Sequence, residues 1–163
     1  MIIIKNRQRK IKVDIKDLHA KTQKMLSVLG NKVLTKKDAL YQDFDLGIML
    51  TTNNTIQKLN KKFRGKDKPT DILSFPFHEN LKAGQIINVK SDEDKNLGDI
   101  IISLEFAQKD AVTTWNRKFD EHLVALLAHG ITHLIGYDHL TDKDFDEMSE
   151  VERQLLKSVG IKY

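Results

Sequence analysis

Cysteine is absent from the 163-residue chain. That one absence removes disulfide scaffolds, thiolate zinc sites and cysteine nucleophiles together. Proline occurs only at Pro69 and Pro76, and no repeat or low-complexity linker divides the sequence. No segment approaches the roughly 18 apolar residues that a membrane span requires, so no membrane partner is expected. The opening Met1-Ile-Ile-Ile-Lys-Asn6 is too short for a signal-peptide core and soon becomes highly charged. A cytoplasmic location is the expectation. What remains is 40% hydrophobic and 31% charged, a globular composition sized for one domain over residues 1–163.

The net charge of +4 hides an uneven distribution. Residues 1–37 carry eleven Lys or Arg against Asp14 and Asp17. Residues 58–68 add Lys58, Lys61, Lys62, Arg64, Lys66 and Lys68 against Asp67 alone. Residues 138–152 reverse the sign, with seven acidic side chains and only Lys143. Separate basic and acidic sections suit a polyanionic partner, although a lysine-rich solvated surface has the same composition.

Hydrophobic periodicity predicts an α+β domain with a mixed sheet. Ile2–Ile4 reads as a short buried strand, and Val13–Leu29 as a helix stopped by Gly30. Strands follow at Asp45–Thr51, Thr70–Phe77 and Asp99–Ser103. Asn53 or Asn54 caps a helix with Ile56, Leu59, Asn60 and Phe63 on its inner face. Residues 78–96 read as a mobile polar excursion. Helices are expected over 104–115, 121–135 and Asp142–Val159.

The chemistry is concentrated in His129-Gly130-Ile131-Thr132-His133-Leu134-Ile135-Gly136-Tyr137-Asp138-His139. His129 and His133 stand four apart on a predicted helix, so both imidazoles leave one face about one turn apart. Gly136 permits a left-handed exit, and the turn can fold His139 back to a third position. Three histidines without an obvious fourth ligand describe a catalytic metal site with an open position, whereas structural zinc sites are closed by four ligands. Imidazoles favour Zn²⁺, with Ni²⁺ or another divalent ion left open. His122 lies about 10 Å along the helix axis from His129, too far to share the ion. It is assigned to packing or a hydrogen bond; His19 and His78 are assigned to the surface, His78 with an option on the cleft.

Metzincin proteases share the three-histidine spacing, but their general base is the Glu that follows the first His. Here that position is Gly130, which disfavours a metalloprotease. Asp138 is a candidate base, or a residue that orients a ligand.

The segment His129–His139, read as HGxxHLxGYDH, resembles the signature of the YbeY family of bacterial ribosomal-RNA maturation factors. Phe63-Arg64-Gly65-Lys66-Asp67-Lys68-Pro69-Thr70-Asp71-Ile72-Leu73-Ser74-Phe75-Pro76 is similar to a second block of that family, and Leu97–Ser103 to a third. Met148 and Glu152 also fall where the family usually has Met and Glu. The resemblance implies a zincin-like fold of about four strands and five helices, with the metal-binding helix in the C-terminal third. It implies a metal-dependent single-strand endoribonuclease acting in 16S rRNA 3′-end processing, ribosome maturation and rRNA quality control. Ribosomal subunits or ribosomal proteins become expected partners. His129, His133 and His139 become the metal ligands, and Arg64 the family's functionally important arginine. Arg64 also stands out by its chemistry, because a guanidinium fork suits phosphate oxygens. Lys61, Lys62, Lys66 and Lys68 are expected to contact RNA beside it. The alternative is a non-catalytic RNA-binding ribosome-assembly factor that uses the same basic surface.

Overall fold

The computed structural model describes residues 1–33 and 44–162. Its strands are β1 (Ile2–Asn6), β2 (Asp45–Thr51), β3 (Ile72–Pro76) and β4 (Asn96–Ser103). Its helices are α1 (Ile15–Val33), α2 (Asn53–Arg64), α3 (Leu104–Thr113), α4 (Phe119–Leu134) and α5 (Asp142–Ser158). The strands form one sheet in the order β1-β2-β4-β3. Pairing is parallel from β1 to β2 and from β2 to β4, and antiparallel between β4 and β3. The predicted mixed four-stranded sheet with about five helices is therefore present.

Alternation along the two inner strands sends Leu46, Ile48 and Leu50 of β2, and Ile100 and Ile102 of β4, to one face. Helix α4 lies on that face, and Leu127, Ile131 and Leu134 close the core with Leu26 and Leu29 of α1 and Leu155 and Leu156 of α5. Each such side chain contributes about 1.5–3 kcal/mol by leaving water. The contact is closest at Gly130, where a Cβ would stand 2.8 Å from Ile100 Cδ1 and 3.0 Å from Ile72 Cδ1. Among the described residues, no helix is long and apolar enough to cross a membrane.

Several local expectations are corrected. β1 is an edge strand, with Ile2 and Ile4 half-buried and Ile3 44% exposed, because among the described residues it pairs on one side only. α1 continues through Gly30 to Val33; a helical glycine costs only about 1 kcal/mol against alanine, and the buried stripe outweighs it. Thr52, not Asn53 or Asn54, caps α2 by accepting the Thr55 N–H. Asn53 Oδ1 instead accepts the Ser103 hydroxyl at 2.7 Å. On α2 only Ile56 and Asn60 are buried, and Phe63 is 55% exposed at the rim.

The polar stretch 78–96 is anchored rather than loose. Ile87 is buried, and Leu81 and Val89 pack on the core. His78 Nε2 meets the Asp94 carbonyl at 2.9 Å. The Asp94 carboxylate accepts the Lys90 and Ser91 N–H groups, both at 2.8 Å. Those two bonds hold its pKa below the usual carboxylate value. Lys36 and Lys37 of the N-terminal basic section lie outside the described residues.

Candidate metal centre

Helix α4 turns Leu127, Gly130, Ile131 and Leu134 to the core, which leaves His129 and His133 half-buried on the adjoining face. Their ring centroids lie 4.5 Å apart. The chain then leaves the helix through Gly136 at φ +90°. A Cβ on Gly136 would stand 2.4 Å from the Leu81 carbonyl oxygen, so both the dihedral and the close pass require glycine. This exit carries His139 back over the helix, to ring-centroid distances of 5.8 Å from His129 and 5.3 Å from His133. The His139 N–H donates to Asp138 Oδ1 at 2.8 Å and steadies the turn. One ligand atom from each histidine lies within 4.8 Å of the other two.

Hydrogen bonds at the far side of two rings settle which nitrogen is free. His133 Nδ1 lies 3.0 Å from the Tyr137 carbonyl, which only accepts, so Nδ1 carries the proton. His129 Nδ1 lies 2.7 Å from Glu152 Oε1, and an ionised carboxylate imposes the same tautomer. Both Nε2 atoms then present lone pairs, and these face each other at 3.0 Å. Two lone pairs at that distance repel unless a cation lies between them. Nitrogens sharing one tetrahedral zinc ion at about 2.0–2.1 Å stand about 3.3 Å apart, close to the arrangement here. The donor set therefore fits a divalent ion. Burial, then the neighbouring His129, lowers the His133 pKa and keeps that ring neutral, as a ligand must be.

The histidines open into a cleft of about 700 Å³ whose lining also includes Arg64, Ser74 and His78. Arg64 reaches it as the last residue of α2. Gly65, at φ +68°, ends the helix by donating to the Lys61 carbonyl. Buried Asn60 then ties the following loop by donating from Nδ2 to the Lys68 carbonyl at 2.9 Å.

A family model described as endoribonuclease YbeY matches residues 3–160. The chain belongs to this family. The human endoribonuclease YbeY is 34% identical over 159 residues, spanning 98% of this chain and 88% of the relative. A Thermoanaerobacter endoribonuclease YbeY is 34% identical over 163 residues, spanning 98% of both. The Nitrobacter winogradskyi relative is 44% identical over 119 residues, 73% of this chain and 60% of the relative. The solution structure of a Thermotoga maritima protein shares the fold at TM-score 0.57 and 23% identity, covering 98% of this chain and 92% of that one.

In this YbeY-family chain the other expected site residues divide by position. Asp138 lines the cleft, but its Oδ1 is committed to the His139 N–H. Lys61, Lys62, Lys66 and Lys68 are all exposed beside the cleft and do not line it. Lys61 pairs with Asp67 at 2.9 Å, and that bond leads the lowering of the Asp67 pKa. His78 does line the cleft. His122 is buried beside Asp110, and burial lowers its pKa. Asp99 faces the other side of the sheet, where its carboxylate lies over Gly47. Gly130 points into the packing of Ile72 and Ile100, so the protease's glutamate position lies in the core of this fold.

The residue that sequence reasoning left without a role is Glu152. Only 7% exposed on α5, it holds the His129 tautomer from 23 residues away. Partners that orient a metal-bound histidine are typically worth about 10–100-fold in metal affinity. Glu152→Gln keeps the volume and removes the charge. It is expected to raise the zinc dissociation constant by about 10-fold or more, read by competition with a chromophoric chelator. An unchanged constant would show that His129 is oriented without Glu152.

Proposed function

We propose that the chain is a metal-dependent endoribonuclease that cuts single-stranded rRNA during ribosome maturation. The processing of 16S rRNA 3′ ends and rRNA quality control are its proposed settings, in the cytoplasm and in contact with ribosomal subunits or proteins. Membership of the YbeY family supports the activity. The observation that carries the reading is the convergence of three histidines with Arg64 across one cleft.

His129, His133 and His139 would hold the ion, with Zn²⁺ favoured by neutral imidazoles. When bound, a divalent ion polarises a phosphoryl oxygen or lowers the pKa of a water molecule. Arg64 offers its planar fork to the phosphate, where negative charge builds in the transition state. Lys61, Lys62, Lys66 and Lys68 hold the flanking backbone by charge, without reading bases. Asp138 steadies His139 and is the carboxylate of the cleft offered as a proton acceptor.

The test compares zinc-loaded with chelator-treated protein on a single-stranded RNA, and on casein. Cleavage of RNA that stops on chelation and resumes with added zinc is expected, with casein intact. Casein digestion would restore the protease reading. RNA that stays whole with every divalent ion tried would leave the assembly-factor reading.

A further inference from the structure

A second concavity also borders two of the histidines. It measures about 370 Å³ and opens between the α3–α4 connection and α5. Asp71, His129 and His139 border both this cavity and the metal cleft. Its walls are mostly apolar, with Leu126 and Met148 at depth and Trp115 and Phe145 left 51% and 57% exposed. Trp115 is held in place: its indole N–H donates to Asp110 Oδ2 at 3.0 Å, and the Arg117 guanidinium lies 5.3 Å from the ring centroid. At the floor, His122 is 2% exposed, with Asp110 Oδ2 3.4 Å from Nε2 as its nearest charged partner and no well-aligned hydrogen bond at either ring nitrogen among the described residues.

We propose that this cavity is a nucleobase subsite, which takes a base next to the phosphate at the histidines and stacks it against Trp115. Its size is that of a small-molecule pocket, not of a protein-docking groove. Its contents suit a base: the half-exposed Trp115 ring for stacking, the Arg117 cation beside it, and polar groups on His122 and Ser149 for the ring edge, with the carboxylates of Asp71 and Glu152 also on the lining. Because it shares His129 and His139 with the cleft, a strand whose phosphate sits at the histidines can place a neighbouring base there. The inference rests on the RNA reading above and adds a contact that depends on the base, where the lysines read only backbone.

Trp115 is the chain's one tryptophan, so its fluorescence reports on this cavity alone. Zinc-loaded protein is titrated with a labelled single-stranded RNA 12-mer, and with an abasic ribose-phosphate oligomer of equal length. Anisotropy reads binding and tryptophan emission reads stacking. The RNA is expected to quench Trp115 and the abasic oligomer to leave it unchanged. Trp115→Ala is expected to weaken RNA binding about 10-fold, the scale of one lost base–aromatic stack, and Trp115→Phe to restore most of it. If the alanine variant fails to fold, the quenching comparison on unaltered protein decides. Equal affinity for both oligomers with unmoved emission overturns the subsite, leaves the RNA reading intact and frees the cavity for a protein partner. No binding of either oligomer overturns both.

Discussion

His129→Ala is expected to lose bound metal and RNA cleavage together, with a fall in rate of about 10³-fold or more. The size follows from several kcal/mol of transition-state stabilisation supplied by a Lewis acid, at tenfold per about 1.4 kcal/mol. Two of the three ligand atoms remain, but the pair of facing Nε2 lone pairs that makes the site is gone. The variant has a second consequence that separates it from an ordinary ligand loss. The His129 ring donates to Glu152, which is buried, so alanine also removes one bond to that carboxylate. Losing a partner at a buried charged group costs about 1–3 kcal/mol or more. His139 is exposed, and His139→Ala is expected to lose metal with little change in melting temperature. Atomic absorption for bound zinc, thermal melts and single-turnover cleavage measure the three effects. Full-rate cutting by His129→Ala would trace the activity to a contaminating nuclease and remove the mechanism.

The histidine cluster was largely legible in the sequence because it is local. Eleven consecutive residues carry all three histidines, a helical spacing of four and the glycine that reverses the chain. Those are short-range properties, and the backbone follows them at α4 and Gly136. The strand at Asp45–Thr51 was legible for the same reason, since its alternation is complete within one element. Most of what failed depends on a distant neighbour. Phe63 has the spacing of an inner-face residue, but α2 meets the sheet through Ile56 and Asn60, and the next turn overhangs the rim. Residues 78–96 are polar enough to read as mobile; Ile87 and the tight pass under Gly136 tie them down. Glu152 is one carboxylate among several on an acidic helix until α5 packs on α4 and sets it beside His129. The cavity at Trp115 draws on three separate stretches of chain and has no sequence signature at all.

Arg64→Ala is expected to slow cleavage about 10²–10³-fold at saturating protein, the cost of removing one preorganised donor from the developing charge. RNA affinity is expected to change by less than 10-fold, because the neighbouring lysines keep most of the phosphate contacts. Arg64 is exposed at the C-terminal end of α2, so the fold should be indifferent to the change. Its position is nevertheless well defined: the Gly65 cap and the Asn60–Lys68 bond fix where the helix stops, and the side chain lines the histidine cleft. Arg64→Lys keeps the charge and loses the planar fork, and is expected to recover binding but little of the rate. Single-turnover cleavage and anisotropy on the same RNA separate the two quantities. A nuclease loses rate first, since only the transition state concentrates charge at the phosphate opposite the histidines. An assembly factor that merely grips RNA has no such step. In that case affinity and any residual cutting would fall together, and lysine would substitute for arginine.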